Sequence, residues 1–155
     1  MQDETYMRMA LQEAQRAAEA DEVPVGAVLV SEAGEVLAAA GNRVIADCDP
    51  TAHAEVAVIR ESSKKRLNFR LLNTTLYVTV EPCVMCMGAA VHARISRLVY
   101  GTKDPRWGAA ASLYSIGSDS RLNHRMDIVG GVCEEECRKL MQGFFRAKRR
   151  QRKEG

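Results

Sequence analysis

The chain has 155 residues, of which 46% are hydrophobic and 27% charged, and its formal net charge is +2. This length predicts one domain, spanning residues 1–155, that is large enough to bury a stable core. Residues 1–15 carry acidic side chains without an apolar run, and no stretch reaches the roughly eighteen apolar residues of a membrane span, which argues against a secreted or membrane protein.

The cysteine content and the charge distribution indicate the compartment of the protein and the kind of partner it binds. Five cysteines, an odd number, favour metal ligands or free thiols in a reducing compartment, which predicts a cytoplasmic protein. Residues 146–155 hold six Lys/Arg and one Glu, leaving 16 of the 22 basic and 19 of the 20 acidic residues elsewhere. This basic end therefore makes the protein cationic, and it is typical of a nucleic-acid contact or of a solvated helix end.

Hydrophobic spacing predicts the secondary structure. Strands alternating with helical stretches indicate an α/β sheet covered on both faces, with parallel strand pairs where a helix intervenes. In chain order the predicted elements are a helix over 4–20, a hairpin of strands 23–30 and 35–42, a helix over 51–65 capped by Asp49 or Thr51, a strand over 74–81, a helix over 82–93, a strand over 95–102, a short helix near 111–116, a strand over 127–131 and a closing helix from about 133.

The segment PCVMC places Cys83 and Cys86 three residues apart at a predicted helix start. Residues i and i+3 share a helix face, so one ion can bind both sulfur atoms. The free N–H groups of a helix amino terminus favour thiolates, and thiolates together with an imidazole favour zinc. A redox-active C-x-x-C pair is the alternative interpretation.

The segment DPTAHAE supplies His53 and Glu55 at the start of the preceding predicted helix. Residues two apart on a helix point about 200° away from each other, so both side chains are not expected to ligate one ion. We expect His53 to bind the metal and Glu55 to approach its open coordination position as a proton carrier.

A closed structural zinc site is the alternative to this catalytic arrangement. It would need a fourth protein ligand, and Cys48, His92 and His124 are the candidates of the usual kinds. Cys48 is the most plausible because it precedes His53 by five residues. The remaining cysteines, Cys133 and Cys137, align at helical spacing with apolar residues of the closing helix, which predicts buried thiols in the core.

The H-A-E and P-C-x-x-C motifs are the signature of the zinc-dependent nucleoside and nucleobase deaminases. Further segments place the chain near the bacterial tRNA-specific adenosine deaminases, which it resembles along almost its whole length. The resemblance implies a three-layer α/β/α sandwich with a five-stranded mixed sheet, one zinc ion per subunit, a homodimer, and deamination of the wobble adenosine in a tRNA anticodon stem-loop. The segments that carry it are EVPVGAVLV, GNRVI, DPTAHAE, LYVTVEPCVMCMGA, NHR and GFFR.

The same resemblance implies a role for individual positions. His53, Cys83 and Cys86 would bind zinc, and Glu55 would carry protons. Asn42 would hydrogen-bond the target base, Val23 and the Ala54 backbone would line its pocket, and Asp104 would contact a flanking ribose 2′-hydroxyl. Anticodon contacts are implied for four further residues, namely Asn123, His124, Phe145 and Arg146.

Other functions fit part of this pattern. The same metal chemistry serves cytosine, cytidine and guanine, so a deaminase of a free base or nucleoside is one alternative, and a non-catalytic zinc-containing RNA-binding protein is another. The predicted RNA-facing residues favour tRNA. The loop KDPRWGAAASL departs from the family pattern, which tends to have Lys at position 106 and Gly at position 111, and Trp107 is bulky for its position.

Overall fold

The computed structural model describes residues 2–154, so Met1 and Gly155, the ends of the predicted domain, lie outside the described residues. Its five strands are β1 (Gly26–Val30), β2 (Val36–Gly41), β3 (Thr75–Val80), β4 (Arg97–Thr102) and β5 (Asp127–Gly130). They form one sheet of order β2-β1-β3-β4-β5. Strand β1 is antiparallel to β2 and β3, whereas β3, β4 and β5 run parallel to one another, so the predicted mixed sheet is confirmed.

Helices cover both faces of this sheet. The side chains of β1 point alternately into two hydrophobic cores, one on each face of the sheet. Ala27 and Leu29 pack with residues of the second and third helices, while Val28 and Val30 pack with residues of the first and last helices. Strand β1 is buried along its whole length, as its continuous apolar run predicts. The three-layer α/β/α arrangement is therefore confirmed, with α1 (Gln2–Glu19) and α4 (Glu134–Glu154) on one face and α2 (Ala54–Arg66) and α3 (Val84–His92) on the other.

The strand connections differ from the simplest prediction in two places. Helix α2 joins β2 to β3, which are not neighbours, because β1 lies between them. The parallel pair β4–β5 is connected without an α-helix, through a loop that contains only a 3-10 turn over Ile116–Ser118. The helix predicted near 111–116 is thus wrong: the Ile116 N–H group donates to the carbonyl oxygen of Ala109, seven residues back, at 3.0 Å, whereas a helix would bond it to the residue four back.

The start of α2 also differs from the prediction. The N-cap position of α2 is occupied by His53, in an extended conformation, and by neither Asp49 nor Thr51. The Asp49 carboxylate instead accepts hydrogen bonds from the Thr51 N–H and hydroxyl at 2.8 and 2.7 Å, so it closes a turn before the helix. No helix within residues 2–154 has the length and apolar character needed to cross a membrane.

Candidate active site

The site lies at the edge of the sheet where β2, β3 and β4 end and β1 begins. Helices α2 and α3 pack against each other, and both start at this edge. The cap residue of α2 is His53 and that of α3 is Cys83. Positions usually given to Ser, Thr or Asp therefore carry two metal-binding side chains, which project from neighbouring helix ends.

These two side chains meet that of Cys86 in the first turn of α3. The His53 Nδ1 atom lies 3.7 Å from Cys83 Sγ and 3.5 Å from Cys86 Sγ, and the three donor atoms lie within 4.8 Å of one another. Tetrahedral zinc with ordinary Zn–S and Zn–N bond lengths would separate a sulfur from a nitrogen ligand by about 3.6 Å. The three donors fit zinc both in chemistry and in spacing.

The proximity of the three groups changes their protonation. A hydrogen bond from Cys86, assisted by the His53 ring, lowers the pKa of the Cys83 thiol to about 4. The bond to Cys83, together with burial, raises the pKa of Cys86. The hydrogen bond to Cys83 also raises the pKa of His53. One thiolate is thus favoured even before a metal arrives, which suits binding of a cation.

Glu55 lies on the first turn of α2 and is 3% exposed. Burial raises the pKa of its carboxyl group to about 7. Among the described residues its Oε1 atom has no hydrogen-bond partner, although it is fully buried. Glu55 also stands outside the group of three donors that lie within 4.8 Å. A buried, unpartnered carboxyl oxygen near neutral pKa is suited to exchanging protons with a bound molecule.

Among the residues that the structure describes, no fourth side chain joins the three donors, as a closed zinc site would require. Within residues 2–154 the clustered donors are only the three described above. Cys48 is exposed, and its thiol donates to the Ile45 carbonyl oxygen at 3.7 Å. His92 ends α3 and is exposed, whereas the Nε2–H group of His124 donates to the Ile95 carbonyl oxygen at 2.6 Å. The arrangement therefore resembles a three-ligand catalytic site.

Asn42 follows β2 directly and reaches the start of α2. Its Oδ1 atom accepts the Ala54 N–H at 2.8 Å, so this side chain caps the helix that carries Glu55. Ala54 is buried and Val23 is half-buried against the same core. These three residues lie at the edge where the metal-binding side chains meet. The Ala54 N–H, being bonded to Asn42, is already satisfied within the protein.

Two buried glutamates that sequence reasoning missed hold the loops on either side. Glu22 accepts the N–H groups of Ile45 and Ala46 at 2.8 to 3.1 Å, which fixes the loop after Asn42. Glu81, directly after β3, does the same for the loop over residues 103–112. Neither belongs to a spacing motif that predicts a partner, so only the position of Glu81 beside P-C-x-x-C could have indicated its importance.

Asp104 lies at the start of that second loop. Its Oδ1 atom accepts the N–H groups of Arg106 and Trp107 at 3.0 and 3.2 Å, which makes it a turn-forming residue. Trp107 is 70% exposed at the loop surface. A further role for Asp104 toward RNA would have to use its second carboxylate oxygen.

The remaining predicted contacts lie farther from the three donors. His124 bonds to Ile95, which follows α3, so it lies by the end of that helix opposite to Cys83, while Asn123 beside it is exposed. Phe145 is 40% exposed on α4 and makes an edge contact with Phe144. Arg146 is exposed on the next position of the same helix. The structure thus brings together the three donors, Glu55, Asn42 and Ala54, but does not bring His124 to them.

Near the basic end of α4, Lys148 forms an ion pair with the turn that follows α1. The ammonium group of Lys148 lies 2.5 Å from Asp21 Oδ1 and 5.5 Å from the centre of the Phe144 ring. Asp21 belongs to the turn between α1 and β1, near Val23. Beyond Lys148 the helix continues with exposed basic side chains, those of Arg149, Arg150, Arg152 and Lys153. The tip of α4 is therefore a cationic surface attached beside the loop that leads to the site.

Fold and site together define a zinc-dependent deaminase domain. Residues 1–102 match the model of the cytidine and deoxycytidylate deaminase zinc-binding region. Within this class, the chain belongs to the family of the tRNA-specific adenosine deaminases, because members of that family are 45% identical to it over nearly its whole length.

The similarity to that family extends along the whole chain. A tRNA-specific adenosine deaminase of Haemophilus influenzae is 45% identical over 97% of this chain and 87% of its own length. One from Bacillus subtilis is 45% identical over 98% of this chain and 94% of its own. A structure solved in studies of A-to-I editing by tRNA:A34 deaminases superimposes with a TM-score of 0.84 at 46% identity, covering 88% of this chain and 98% of that one.

Proposed function

We propose that this protein is a zinc-dependent hydrolase that converts adenosine to inosine at the wobble position of a tRNA anticodon. The observation that carries the proposal is the grouping of His53, Cys83 and Cys86 beside the buried, unpartnered Oε1 of Glu55. Full-length relatives that are 45% identical are tRNA-specific adenosine deaminases, which supports the choice of substrate.

The donor set would hold one zinc ion per subunit, with Nδ1 of His53 and the two sulfur atoms as ligands. When bound, zinc supplies the Lewis acidity that makes water nucleophilic near neutral pH. Glu55 Oε1 would take one proton from water as its oxygen adds to C6 of adenine, and would pass that proton to N1. It would then carry the proton of the new C6 hydroxyl group to the amino group, which leaves as ammonia while the C6 carbonyl of inosine forms. The pKa near 7 suits both directions of transfer, because the carboxyl group then gains and loses a proton at similar cost.

The neighbouring residues would hold the base and its strand. Because Asn42 Oδ1 is bonded to Ala54, the Nδ2 group is the donor available to the base. Val23 and Ala54 would form the apolar wall of the pocket. The free oxygen of Asp104 would accept a hydrogen bond from a flanking ribose 2′-hydroxyl, which distinguishes RNA from DNA.

The outer contacts would come from exposed side chains. Phe145 would stack on a neighbouring base, and Arg146 together with the basic end would contact phosphates. Of the pair Asn123 and His124, Asn123 would contact RNA, while the His124 ring would support it through its bond to Ile95. We further propose that the enzyme acts as a homodimer in the cytoplasm and binds the anticodon stem-loop of its tRNA.

The substrate is tested by offering competing substrates side by side. The purified zinc enzyme is incubated with an anticodon stem-loop bearing a wobble adenosine and, separately, with adenine, guanine, cytosine and cytidine. We expect inosine in the stem-loop and no turnover of the free compounds. Turnover of a free base without inosine would favour a nucleobase deaminase, and no turnover of any of them would favour a non-catalytic zinc protein.

A further inference from the structure

Glu81 forms the densest set of hydrogen bonds of any buried carboxylate within residues 2–154. It is 3% exposed, and it lies two residues before Cys83. Its Oε1 accepts the Asp104 N–H at 3.1 Å and the Ser112 hydroxyl at 2.5 Å. Its Oε2 accepts the N–H groups of Ala110, Ala111 and Ser112 at 3.2, 2.8 and 2.8 Å. One carboxylate thus joins both ends of the 103–112 loop.

Gly108 allows the loop to close over this carboxylate. A Cβ atom at position 108 would stand 2.5 Å from Glu81 Oε1 and 2.5 Å from the Asp104 carbonyl oxygen, so no larger residue fits without a shift. The next residue, Ala109, donates its N–H to the Pro82 carbonyl oxygen at 2.8 Å. The loop is therefore bonded to both residues that immediately precede Cys83.

We propose that Glu81 is a positioning residue, which fixes the 103–112 loop relative to the metal-binding cysteines. It thereby sets where Asp104 and Trp107 meet the nucleotides that flank the reacting adenosine. This inference rests on the proposed function, since it assigns the loop to the strand around the target base. Trp107 itself is exposed, and the loop that carries it is held by its backbone donors, which bond to a buried anion.

The replacement Glu81→Gln in the full-length zinc protein tests whether Glu81 anchors the 103–112 loop. Glutamine has nearly the same shape, but one of its two terminal atoms becomes an NH₂ group that cannot accept hydrogen bonds from the loop. Trp107 is the only tryptophan of the chain, so its fluorescence reports on the loop alone. We expect acrylamide quenching of Trp107 to rise about twofold and its anisotropy to fall, because the loop's hydrogen bonds to an anion are removed or inverted.

A matched control uses the other loop-holding glutamate. Glu22→Gln makes the same chemical change at a carboxylate that is also buried and also accepts backbone N–H groups, but from Ile45 and Ala46. We expect Trp107 quenching and anisotropy in this variant to equal those of the wild type. Equal quenching in wild type and Glu81→Gln would overturn the proposal, whether or not the protein deaminates tRNA.

Kinetics separate positioning from mere stabilisation. With the stem-loop substrate, we expect Glu81→Gln to raise KM about tenfold, to change kcat less than about threefold, and to leave the zinc content unaltered, since remote misplacement of a contact weakens binding. In an Asp104→Ala background, Glu81→Gln should add little further effect, because the two residues then act through one contact. A lower melting temperature with KM unchanged would show a purely structural role and contradict the proposal.

Ser112→Ala covers the case in which Glu81→Gln fails to fold. This variant removes only the 2.5 Å hydroxyl bond to Oε1 and keeps the four backbone bonds. We expect a smaller change in Trp107 quenching and in KM, in the same direction as for Glu81→Gln. The fluorescence result stands without catalysis, so a wild type that makes no inosine would refute the proposed function and leave the anchor to be judged by quenching.

Discussion

The Nδ1 atom of His53 lies 3.5 Å from the Sγ atom of Cys86, although 33 residues separate the two in the chain. The distance follows from the packing of α2 against α3, whose amino termini meet at one edge of the sheet. Each helix carries a metal-binding residue at or near its cap. The spacing of the donor atoms therefore depends on how α2 packs against α3.

This relationship predicts the consequence of removing one ligand. We expect His53→Ala and Cys86→Ala to lose the bound zinc, because two remaining donors do not hold the ion at ordinary protein concentrations. Loss of the metal should also lower the melting temperature, since a ligand at a thousandfold excess over its Kd stabilises the folded state by about 4 kcal/mol. Zinc is measured by mass spectrometry of the metal, and stability by thermal denaturation.

Cys48→Ala is the matched control for these variants. Cys48 is an exposed thiol outside the group of three donors, so this variant should retain the wild-type zinc content. A loss of zinc comparable to that of Cys86→Ala would mean that the site is a closed structural one with Cys48 as its fourth ligand.

Asn42→Asp separates the two tasks assigned to Asn42. An aspartate still offers an oxygen to the Ala54 N–H and is favourable at a helix amino terminus, so the melting temperature and zinc content should change little. It cannot donate a hydrogen bond to the base, and we expect kcat/KM to fall about 100-fold or more. Wild-type kcat/KM in Asn42→Asp would exclude Nδ2 as a donor to the substrate, whereas Asn42→Ala should lose stability and activity together.

Sequence reasoning predicted the parts of this molecule that depend on local pattern. Alternation and helical spacing indicated all five strands and all four long helices that the structure describes. The spacing of Cys83 and Cys86 and a helical angle of about 200° between His53 and Glu55 predicted that the two cysteines bind one ion and that Glu55 does not bind it beside His53. In the structure Glu55 stands outside the three-donor group. The helical angles do not apply, however, because His53 and Cys83 are extended residues that precede their helices.

Features that depend on long-range contacts were not predictable in this way. The N-cap position of α2 is occupied by His53, while Asp49 bonds to Thr51 in the turn before the helix. The helix expected near 111–116 is missing because the Ile116 N–H group bonds to Ala109, seven residues back. The same segment is also held by Glu81, which lies 29 residues before Ala110 in the chain. Buried carboxylates such as Glu22 and Glu81 carry no spacing signature, since their partners are backbone atoms of distant loops.

A partly buried charge pair predicts how stability depends on pH. The Arg97 guanidinium donates two hydrogen bonds to the Asp3 carboxylate at 2.8 and 2.7 Å and, with a bond from Tyr77, holds the pKa of Asp3 below its ordinary value of 3.8. The contribution of the pair is fully present above that ordinary value and is lost as the pH falls through the lower pKa of the folded state.

We therefore expect Asp3→Asn to cost about 1–2 kcal/mol of unfolding free energy at neutral pH, with the difference from wild type shrinking as the pH falls below 3.8. Urea denaturation at a series of pH values measures this. Glu4→Gln, one residue further along the first turn of α1 and exposed, controls for the loss of a helix-terminal charge. A deficit for Asp3→Asn that persists unchanged at the lowest pH would contradict the role of the ion pair.

The basic end of α4 predicts a salt-dependent part of RNA binding. Replacing Arg149, Arg150 and Arg152 by glutamine should weaken stem-loop binding at low salt and reduce the slope of log K against log salt by about 0.7 for each phosphate that the helix no longer neutralises. The same number of charges removed from α2, at Lys64, Lys65 and Arg66 in the opposite layer, is the control. Equal slopes for the wild type and the α4 variant would mean that the basic end is solvated and makes no phosphate contacts.

The division of labour between the zinc ligands and Glu55 is tested most directly by Glu55→Ala, with zinc content and inosine formation measured on the same preparation. We predict that this variant keeps one zinc per chain, because its three donors are intact, and forms inosine about 100- to 10,000-fold more slowly. Loss of zinc would make Glu55 a ligand, and inosine formation at the wild-type rate would remove it from the reaction; either result would contradict the separate roles assigned to His53 and Glu55.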